Sequence, residues 1–247
     1  DLLNDQVSHI VTQLSYPATF ATIVLLVDQY TGPYLRQFST GDLQKVLDIA
    51  KQLNASGVVD QIWTVPTDKM IIRSTYLNWF GRSDIVESHT TMNAPLFAQL
   101  WAFDKIDTPY VMQCDCDVFI GRKDLNHDYL RDMKLALSDY GVVSVGFNIP
   151  QPTDEYKRYK GEPGEFPPEI RCGMLHLPRM KSLNPLPNSV TDNRFELMWH
   201  RSLQKITTDQ CRSIRGGDSR TYYLHPMNKD KVNTKFSVWR DIVAQGL

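Results

Sequence analysis

Two aspartates, Asp115 and Asp117, lie one residue apart where a short apolar segment ends, and this spacing points to metal chemistry. On an extended segment, residues i and i+2 project to the same side, so the two carboxylates repel each other unless a cation lies between them. Oxygen ligands favour Mn²⁺ or Mg²⁺, which keep waters or substrate phosphates as further ligands. The alternative is a strand end with two solvated acids, but apolar residues on both sides make that arrangement costly. The pair therefore predicts a metal ion that binds a phosphate-containing ligand.

Alternating strands and helices are predicted around this pair. Continuous apolar runs rich in β-branched residues predict buried strands, and apolar stripes at helical spacing predict the helices. The predicted strands are residues 20–27, 58–65, 110–114, 142–147, 172–177 and 220–224, and the predicted helices are residues 2–14, 42–53, 95–103, 128–139 and 193–206. This order is typical of an α/β fold with a mostly parallel central sheet flanked by helices. The carboxyl ends of its strands share one edge, where Asp28 and Asp115 both fall.

The composition excludes several classes of protein. The formal net charge of −1 argues against a chain that holds nucleic acid. None of the four cysteines forms a C-x-x-C pair, which favours free thiols in a reducing compartment. The longest apolar run, residues 20–27, is too short for a membrane span. We therefore expect a cytoplasmic protein with at most peripheral membrane association, although a start at Asp1 leaves room for an anchor before it.

The segment of residues 110–119 (Tyr-Val-Met-Gln-Cys-Asp-Cys-Asp-Val-Phe) resembles the D-x-D strand of the GT-A glycosyltransferases. The predicted helix of residues 95–103, just before it, also resembles the layout of that family. In these enzymes the D-x-D motif holds Mn²⁺ or Mg²⁺ against a nucleoside diphosphate. The resemblance implies one GT-A-like domain over residues 1–247. Residues 1–147 would be the nucleotide-sugar-binding part, and residues 148–247 would bind the acceptor and contribute a C-terminal metal and diphosphate element.

A second resemblance lies near the C-terminus, where His225, Asn228 and Lys231 keep the spacing of the H-x-x-G-x-x-K element of glycogenin-like GT-A enzymes. In that element the histidine binds the metal and the lysine meets the diphosphate. The chemistry is sound for these residue types, because a neutral imidazole can complete a metal site and a lysine offsets phosphate charge. Asn228 replaces the glycine of the family. The implied metal ligands are therefore Asp115, Asp117 and His225, with Asn228 and Lys231 at the donor.

Two further sites follow from the same resemblance. Asp28 and Tyr30 come directly after the first strand, where GT-A enzymes seat the nucleotide, so Asp28 would hydrogen-bond the base or ribose and Tyr30 would stack on the base. Glu196 loosely resembles the catalytic base of inverting members, with Asp192 as the nearby alternative. The structural alternatives are a loop acid, a core tyrosine and a surface acid. The glycogenin-like element favours retention whereas Glu196 favours inversion, so the stereochemistry stays open.

The predicted function is metal-dependent transfer of a sugar from a nucleoside diphosphate sugar to a hydroxyl of a glycan, lipid or small-molecule acceptor. A sugar nucleotidyltransferase is an alternative in the same fold class. That function calls for a Gly-rich basic phosphate loop after the first strand, and residues 30–33 offer little of it. A non-catalytic nucleotide- or carbohydrate-binding module is the alternative from another class. The sequence does not identify the sugar, the base, the acceptor or the oligomeric state.

Overall fold

Eight helices and ten strands alternate along the residues that the computed structural model describes, which are 2–33, 41–147, 170–208, 211–216, 220–226 and 235–246. The helices are α1 Leu2–Leu14, α2 Leu43–Ala55, α3 Lys69–Phe80, α4 Phe97–Lys105, α5 Tyr129–Ala136, α6 Leu177–Ser182, α7 Trp199–Gln204 and α8 Phe236–Ala244. The strands are β1 Val24–Val27, β2 Gln61–Thr64, β3 Tyr110–Cys114, β4 Phe119–Arg122, β5 Val142–Phe147, β6 Cys172–His176, β7 Val190–Thr191, β8 Arg194–Phe195, β9 Arg212–Gly216 and β10 Thr221–Leu224. The predicted mixed α/β class is confirmed.

The N-terminal unit is a parallel strand–helix–strand. β1 pairs with β2 in register from Val24 opposite Gln61, and α2 connects them. The Asp42 side chain caps α2 by accepting a hydrogen bond from the backbone N–H of Lys45 at 3.1 Å, which satisfies a donor that has no partner inside the helix. Asp28 directly follows the carboxyl end of β1, so it lies at the edge of the sheet that β1 forms with β2.

The larger sheet is mixed, so the expectation of a mostly parallel central sheet is not met among the described strands. Its order is β3-β6-β5-β9, and β6 runs antiparallel to both of its neighbours, while β5 and β9 are parallel. A strand buried on both faces is apolar whether it runs parallel or antiparallel to its neighbours. Hydrophobicity alone therefore could not reveal that β6 is antiparallel. Gly173 permits this packing, because a Cβ there would lie 2.6 Å from the carbonyl oxygen of Val145 on β5.

The strand after the aspartate pair, β4, is bonded along both edges. One edge pairs with β10 in an antiparallel ladder. Along the other edge, side chains of α1 take the place of a strand: Gln6 Nε2 donates to the carbonyl of Val118 at 2.8 Å, and His9 Nε2 accepts from the N–H of Ile120 at 2.9 Å. Burial and the charge of Arg240 lower the pKa of His9 to about 4. His9 is therefore neutral at physiological pH, as an acceptor must be.

Buried Arg122, at the end of β4, ties several loops to the core. Its guanidinium donates to backbone carbonyls at the end of α1 and in the loop before α5, and desolvation by burial lowers its pKa. The carbonyl oxygens belong to Gln13, Tyr16, Asp124, Leu125 and His127. Because buried carbonyls are costly to leave without a donor, this one side chain fixes the position of β4 against α1 and α5.

Two further differences from the sequence-based prediction lie after β2 and around residue 193. The segment after β2, which had no assignment, forms α3, capped by Asp68 and ended by Gly81 in the left-handed conformation. The predicted helix of residues 193–206 is wrong before residue 199, where the chain completes the turn and second strand of the β7–β8 hairpin and then bends into α7. Asp192 and Asn193 turn this hairpin with φ of 51° and 57°, since Asp and Asn tolerate that conformation better than other side chains do.

Within the described part of the chain, none of the helices combines the length and the apolar character needed to cross a lipid bilayer.

Candidate functional site

Residues 115–117 form a turn between β3 and β4 and not the extended segment that the sequence suggested. Because the chain turns at Cys116 and Asp117, the carboxylates of Asp115 and Asp117 have different partners. Asp115 lies beside Arg171, and Asp117 lies beside His225. The two acids are thus held at one strand end, as predicted, but each has a separate cationic or imidazole neighbour.

Asp115 is fixed by both its backbone and its side chain. Its N–H donates to the carbonyl of Arg171 at 2.7 Å, which extends the pairing of β3 with β6 beyond Cys114. Its Oδ1 accepts from Nε2 of Gln113 at 2.8 Å, and its Oδ2 lies 3.4 Å from Nη1 of Arg171. Arg171 therefore offsets part of the negative charge that the sequence assigned to a metal ion.

The ladder between β4 and β10 brings His225 to Asp117. Leu224 is opposite Phe119 in this antiparallel pair, so the residue after Leu224 falls next to the residues that precede Phe119. His225 Nε2 lies 3.4 Å from Asp117 Oδ2, and the two side chains are 21% and 38% exposed. The other carboxylate oxygen, Asp117 Oδ1, is buried. Two predicted metal ligands from distant parts of the sequence are thus in contact.

The donor atoms of Asp117 and His225 suit a divalent cation. Two ligand atoms that each lie slightly more than 2 Å from one ion are about 3 Å apart, close to the observed 3.4 Å. Asp115 faces Arg171 in this arrangement. Among the described residues, no group of three His, Cys, Asp or Glu side chains is close enough to hold a metal. Asp117 and His225 could therefore supply two ligands of a divalent ion, and the remaining ligands would come from other groups.

A second polar cluster lies at the carboxyl end of β1. The Oδ1 atom of Asp28 accepts from the N–H of Tyr30 at 3.0 Å, and its Oδ2 lies 3.5 Å from Nε2 of His89. The rings of Tyr30 and His89 stack with centroids 3.6 Å apart. Asp28 and Tyr30 thus both contact His89, a residue that the sequence did not single out.

Burial sets the charge state of this cluster. It raises the pKa of the Asp28 carboxyl, and the hydrogen bond from the Tyr30 N–H opposes that shift. Burial and the nearby charge of Arg194 lower the pKa of His89 to about 4. The contact at 3.5 Å is thus one between a neutral imidazole and a carboxyl group, and it is not a fully charged ion pair.

Sequence reasoning missed both His89 and Arg171. His89 lies within residues 66–91, which the sequence left unassigned. The loop that carries it is held by Arg194, which contacts Asn93 at 2.9 Å and Glu87 at 3.4 Å. Arg171 directly precedes β6. Neither residue belongs to a local motif, so no sequence signal was available to single them out.

Glu196 is exposed and follows the β7–β8 hairpin, so it does not lie at a helix start. Its Oε1 accepts a hydrogen bond from Oγ1 of Thr191 at 2.7 Å. The alternative acid, Asp192, lies in the turn of the hairpin and is also exposed. Of these two acids, Glu196 is the one that borders the cavity described next.

A cavity of about 1920 Å³ connects several of these residues. Its wall includes Asp28, Asp115, Asp117, Arg171 and Glu196. Small-molecule sites usually occupy about 300–1,000 Å³, so this space can hold a nucleotide-sized ligand together with a second molecule. Predicted site acids from three separate parts of the sequence thus border the same cavity.

Asn228 and Lys231 lie outside the described residues, and so do residues 148–169 of the predicted acceptor-binding part. Their predicted roles remain predictions.

Comparisons of the chain with protein-family models, curated proteins and solved structures gave no match.

Proposed function

We propose that this chain is a metal-dependent glycosyltransferase of the GT-A type that transfers a sugar from a nucleoside diphosphate sugar to a hydroxyl acceptor. The observation that carries the proposal is the contact of His225 with Asp117 at 3.4 Å. Both residues were chosen from sequence as ligands of one metal, and nothing in their local sequence requires them to meet. A chance contact between two solvent-exposed side chains is a weaker explanation, because the Oδ1 atom of Asp117 is buried in the protein.

The nucleoside end of the donor is assigned to the cluster at the end of β1. The carboxyl of Asp28 can accept a hydrogen bond from a base or a ribose hydroxyl, and it borders the cavity. The Tyr30 ring stacks on the buried ring of His89 and is itself partly exposed, so a base would pack on the exposed part of Tyr30. Asp28 and Asp117 border the same cavity, so one donor molecule can extend from the first cluster to the second.

The diphosphate end is assigned to Asp117 and His225, with Asp115 close by. A divalent ion bound there would stabilise the negative charge that develops on the departing diphosphate. The protein contributes by holding both side chains in place: the β4–β10 ladder carries His225, and the α1 contacts of Gln6 and His9 brace β4 from its other edge.

The acceptor is assigned to the side of the cavity bordered by Glu196. In an inverting reaction Glu196 would remove the proton from the attacking hydroxyl as the new glycosidic bond forms. Its Oε1 accepts a hydrogen bond from Oγ1 of Thr191, which holds the carboxylate in one orientation. A retaining reaction would not use Glu196 in this role, and the anomeric configuration of the product separates the two.

Nucleotide titration with and without Mn²⁺ tests the proposal. We expect UDP or GDP to bind at least about tenfold more tightly with Mn²⁺, a difference of about 1.4 kcal/mol. Donor sugars are then screened by release of free nucleoside diphosphate in the presence of acceptors. A sugar nucleotidyltransferase would instead consume a sugar phosphate and a nucleoside triphosphate, and a binding module would bind without turnover. If Mn²⁺ leaves the affinity for both nucleotides unchanged, the proposal is wrong.

A further inference from the structure

Arg171 neutralises Asp115 in the structure, and we propose that it exchanges this partner for the donor diphosphate when metal and nucleotide bind. This inference rests on the proposed function, since it assigns the second cation of the diphosphate site. It adds a residue that the sequence did not indicate.

The backbone of Arg171 is held beside the acids. Its carbonyl accepts the N–H of Asp115 at 2.7 Å, directly after the paired residues Cys114 and Cys172. The Arg171 side chain is 25% exposed and borders the same cavity as Asp115 and Asp117. A ligand that reaches these acids from the cavity therefore passes within reach of the guanidinium.

The contact between Arg171 and Asp115 is of a kind that exchanges easily. The Nη1 to Oδ2 distance is 3.4 Å, whereas charge-assisted N–H···O hydrogen bonds are about 2.7–2.9 Å long. Both side chains are partly exposed, at 25% and 28%, and ion pairs in such surroundings contribute at most about 1 kcal/mol. Replacing Asp115 by a phosphate as the partner of the guanidinium therefore costs little.

The charges favour that replacement once a metal is present. Asp115 and Asp117 together carry two negative charges, which a divalent ion would balance, so Asp115 would no longer need Arg171. A nucleoside diphosphate brings about three more negative charges at neutral pH. A guanidinium presents several donors in a planar arrangement that matches phosphate oxygens. Arg171 is placed to offset this added charge, because it contacts Oδ2 of Asp115 while Gln113 retains its hydrogen bond to Oδ1.

The substitution Arg171→Gln should change two affinities in opposite directions. Mn²⁺ alone should bind about threefold or more tightly, because a positive charge that competes for Asp115 is removed. The nucleoside diphosphate, UDP or GDP, should bind about tenfold more weakly in the presence of Mn²⁺, because a phosphate partner is lost. Mn²⁺ binding is measured by electron paramagnetic resonance, and nucleotide binding by calorimetry. Binding of the matching nucleoside, which has no phosphate, should not change.

Arg220→Gln is the matched control, since Arg220 lies 3.4 Å from Asp124 and is not part of the cavity wall. It should leave all three affinities unchanged. Arg171→Lys retains the charge, so it should retain the wild-type affinity for Mn²⁺ alone and lose only part of the nucleotide affinity. It also serves as the second variant if Arg171→Gln does not fold.

The outcomes separate the two proposals. If the unaltered chain binds nucleotide with Mn²⁺ and Arg171→Gln binds it equally well, this inference is overturned and the proposed function stands. A parallel loss of Mn²⁺ and nucleotide affinity would show that Arg171 only supports the fold of the site, which also overturns it. If the unaltered chain shows no Mn²⁺-dependent nucleotide binding, the proposed function fails and this inference fails with it.

Discussion

The Nε2 atom of His225 lies 3.4 Å from Oδ2 of Asp117, although more than a hundred residues separate them in the sequence. The antiparallel ladder of β4 and β10 produces this contact, because it ends with Leu224 opposite Phe119. Any change in the register of that ladder would move His225 away from the acid. The relationship between these two side chains is therefore a property of the strand pairing as much as of the residues themselves.

Asp117→Asn should weaken Mn²⁺-dependent nucleotide binding by at least about tenfold, or about 1.4 kcal/mol. The amide has nearly the same shape as the carboxylate, so the fold should persist while the charge that binds the ion is lost. Calorimetric titration with and without Mn²⁺ measures the effect. Asp107→Asn is the matched control, since Asp107 borders the same cavity but has no assigned ligand role. Unchanged nucleotide affinity in Asp117→Asn would contradict the metal assignment.

His225→Ala should weaken Mn²⁺-dependent nucleotide binding less than Asp117→Asn does, because a neutral ligand is lost and the anionic ligand stays. The affinity should recover at higher Mn²⁺ concentration, since the remaining ligands still form a weaker site. Nucleotide affinity measured across a series of Mn²⁺ concentrations reports this shift. A His225→Ala protein whose Mn²⁺ requirement equals that of the unaltered chain would show that His225 is not a ligand.

Tyr30→Leu should weaken binding of the nucleotide and of its nucleoside alike, by a factor of about 3 to 10, the range expected for loss of one aromatic contact. Tyr30→Phe keeps the ring that stacks on His89 and is the matched control. Titration with the nucleoside isolates the base from the phosphates. If Tyr30→Leu and Tyr30→Phe have the same nucleoside affinity, the base does not contact this ring.

Stability should fall as the pH is lowered from about 6.5 to about 4, because His9 stays neutral in the folded state. Its folded pKa is lowered from 6.5 to about 4, so in this window only the unfolded chain binds the proton and the folded state loses stability. His89 adds a shift of the same sign. Above about pH 6.5, the pKa of His9 in the unfolded chain, this loss of stability is absent.

His9→Gln tests the origin of this pH dependence, because the amide oxygen can still accept the N–H of Ile120 but does not titrate. We expect the difference in unfolding free energy between pH 7.5 and pH 4.5 to shrink by on the order of 1–2 kcal/mol, after allowance for partial exposure. Urea unfolding at the two pH values measures it. The same pH difference in both proteins would contradict the assignment.

Arg122→Met should reduce the free energy of unfolding by about 3 kcal/mol, because it leaves several buried carbonyls without a donor. These carbonyls lie at the end of α1 and before α5. Urea unfolding followed by circular dichroism gives the value. Arg131→Met, at an exposed position of α5, should change it by no more than about 0.5 kcal/mol. Equal stability of the two variants would show that Arg122 does not fix these loops.

Several elements were predictable because their cause is local. Asp42 caps α2 as expected, since a helix start depends on residues within one turn. The β1–α2–β2 unit followed from the same kind of pattern. The predicted helix start at residue 193 was wrong, because Asp192 and Asn193 form the turn of the β7–β8 hairpin. The antiparallel direction of β6 depends on its neighbours β3 and β5, which no local pattern reports.

The sequence by itself determined the acids at the end of the third strand, the acid after the first strand and the alternation of helices and strands, because short-range polarity and spacing encode all three. The tertiary structure decided which side chains meet these acids. Arg171 beside Asp115, His225 beside Asp117 and His89 beside Asp28 each depend on contacts between distant segments. Such contacts result from strand register and core packing, which sum over many residues. A family resemblance indicated His225 in advance, whereas no local motif indicated Arg171 or His89.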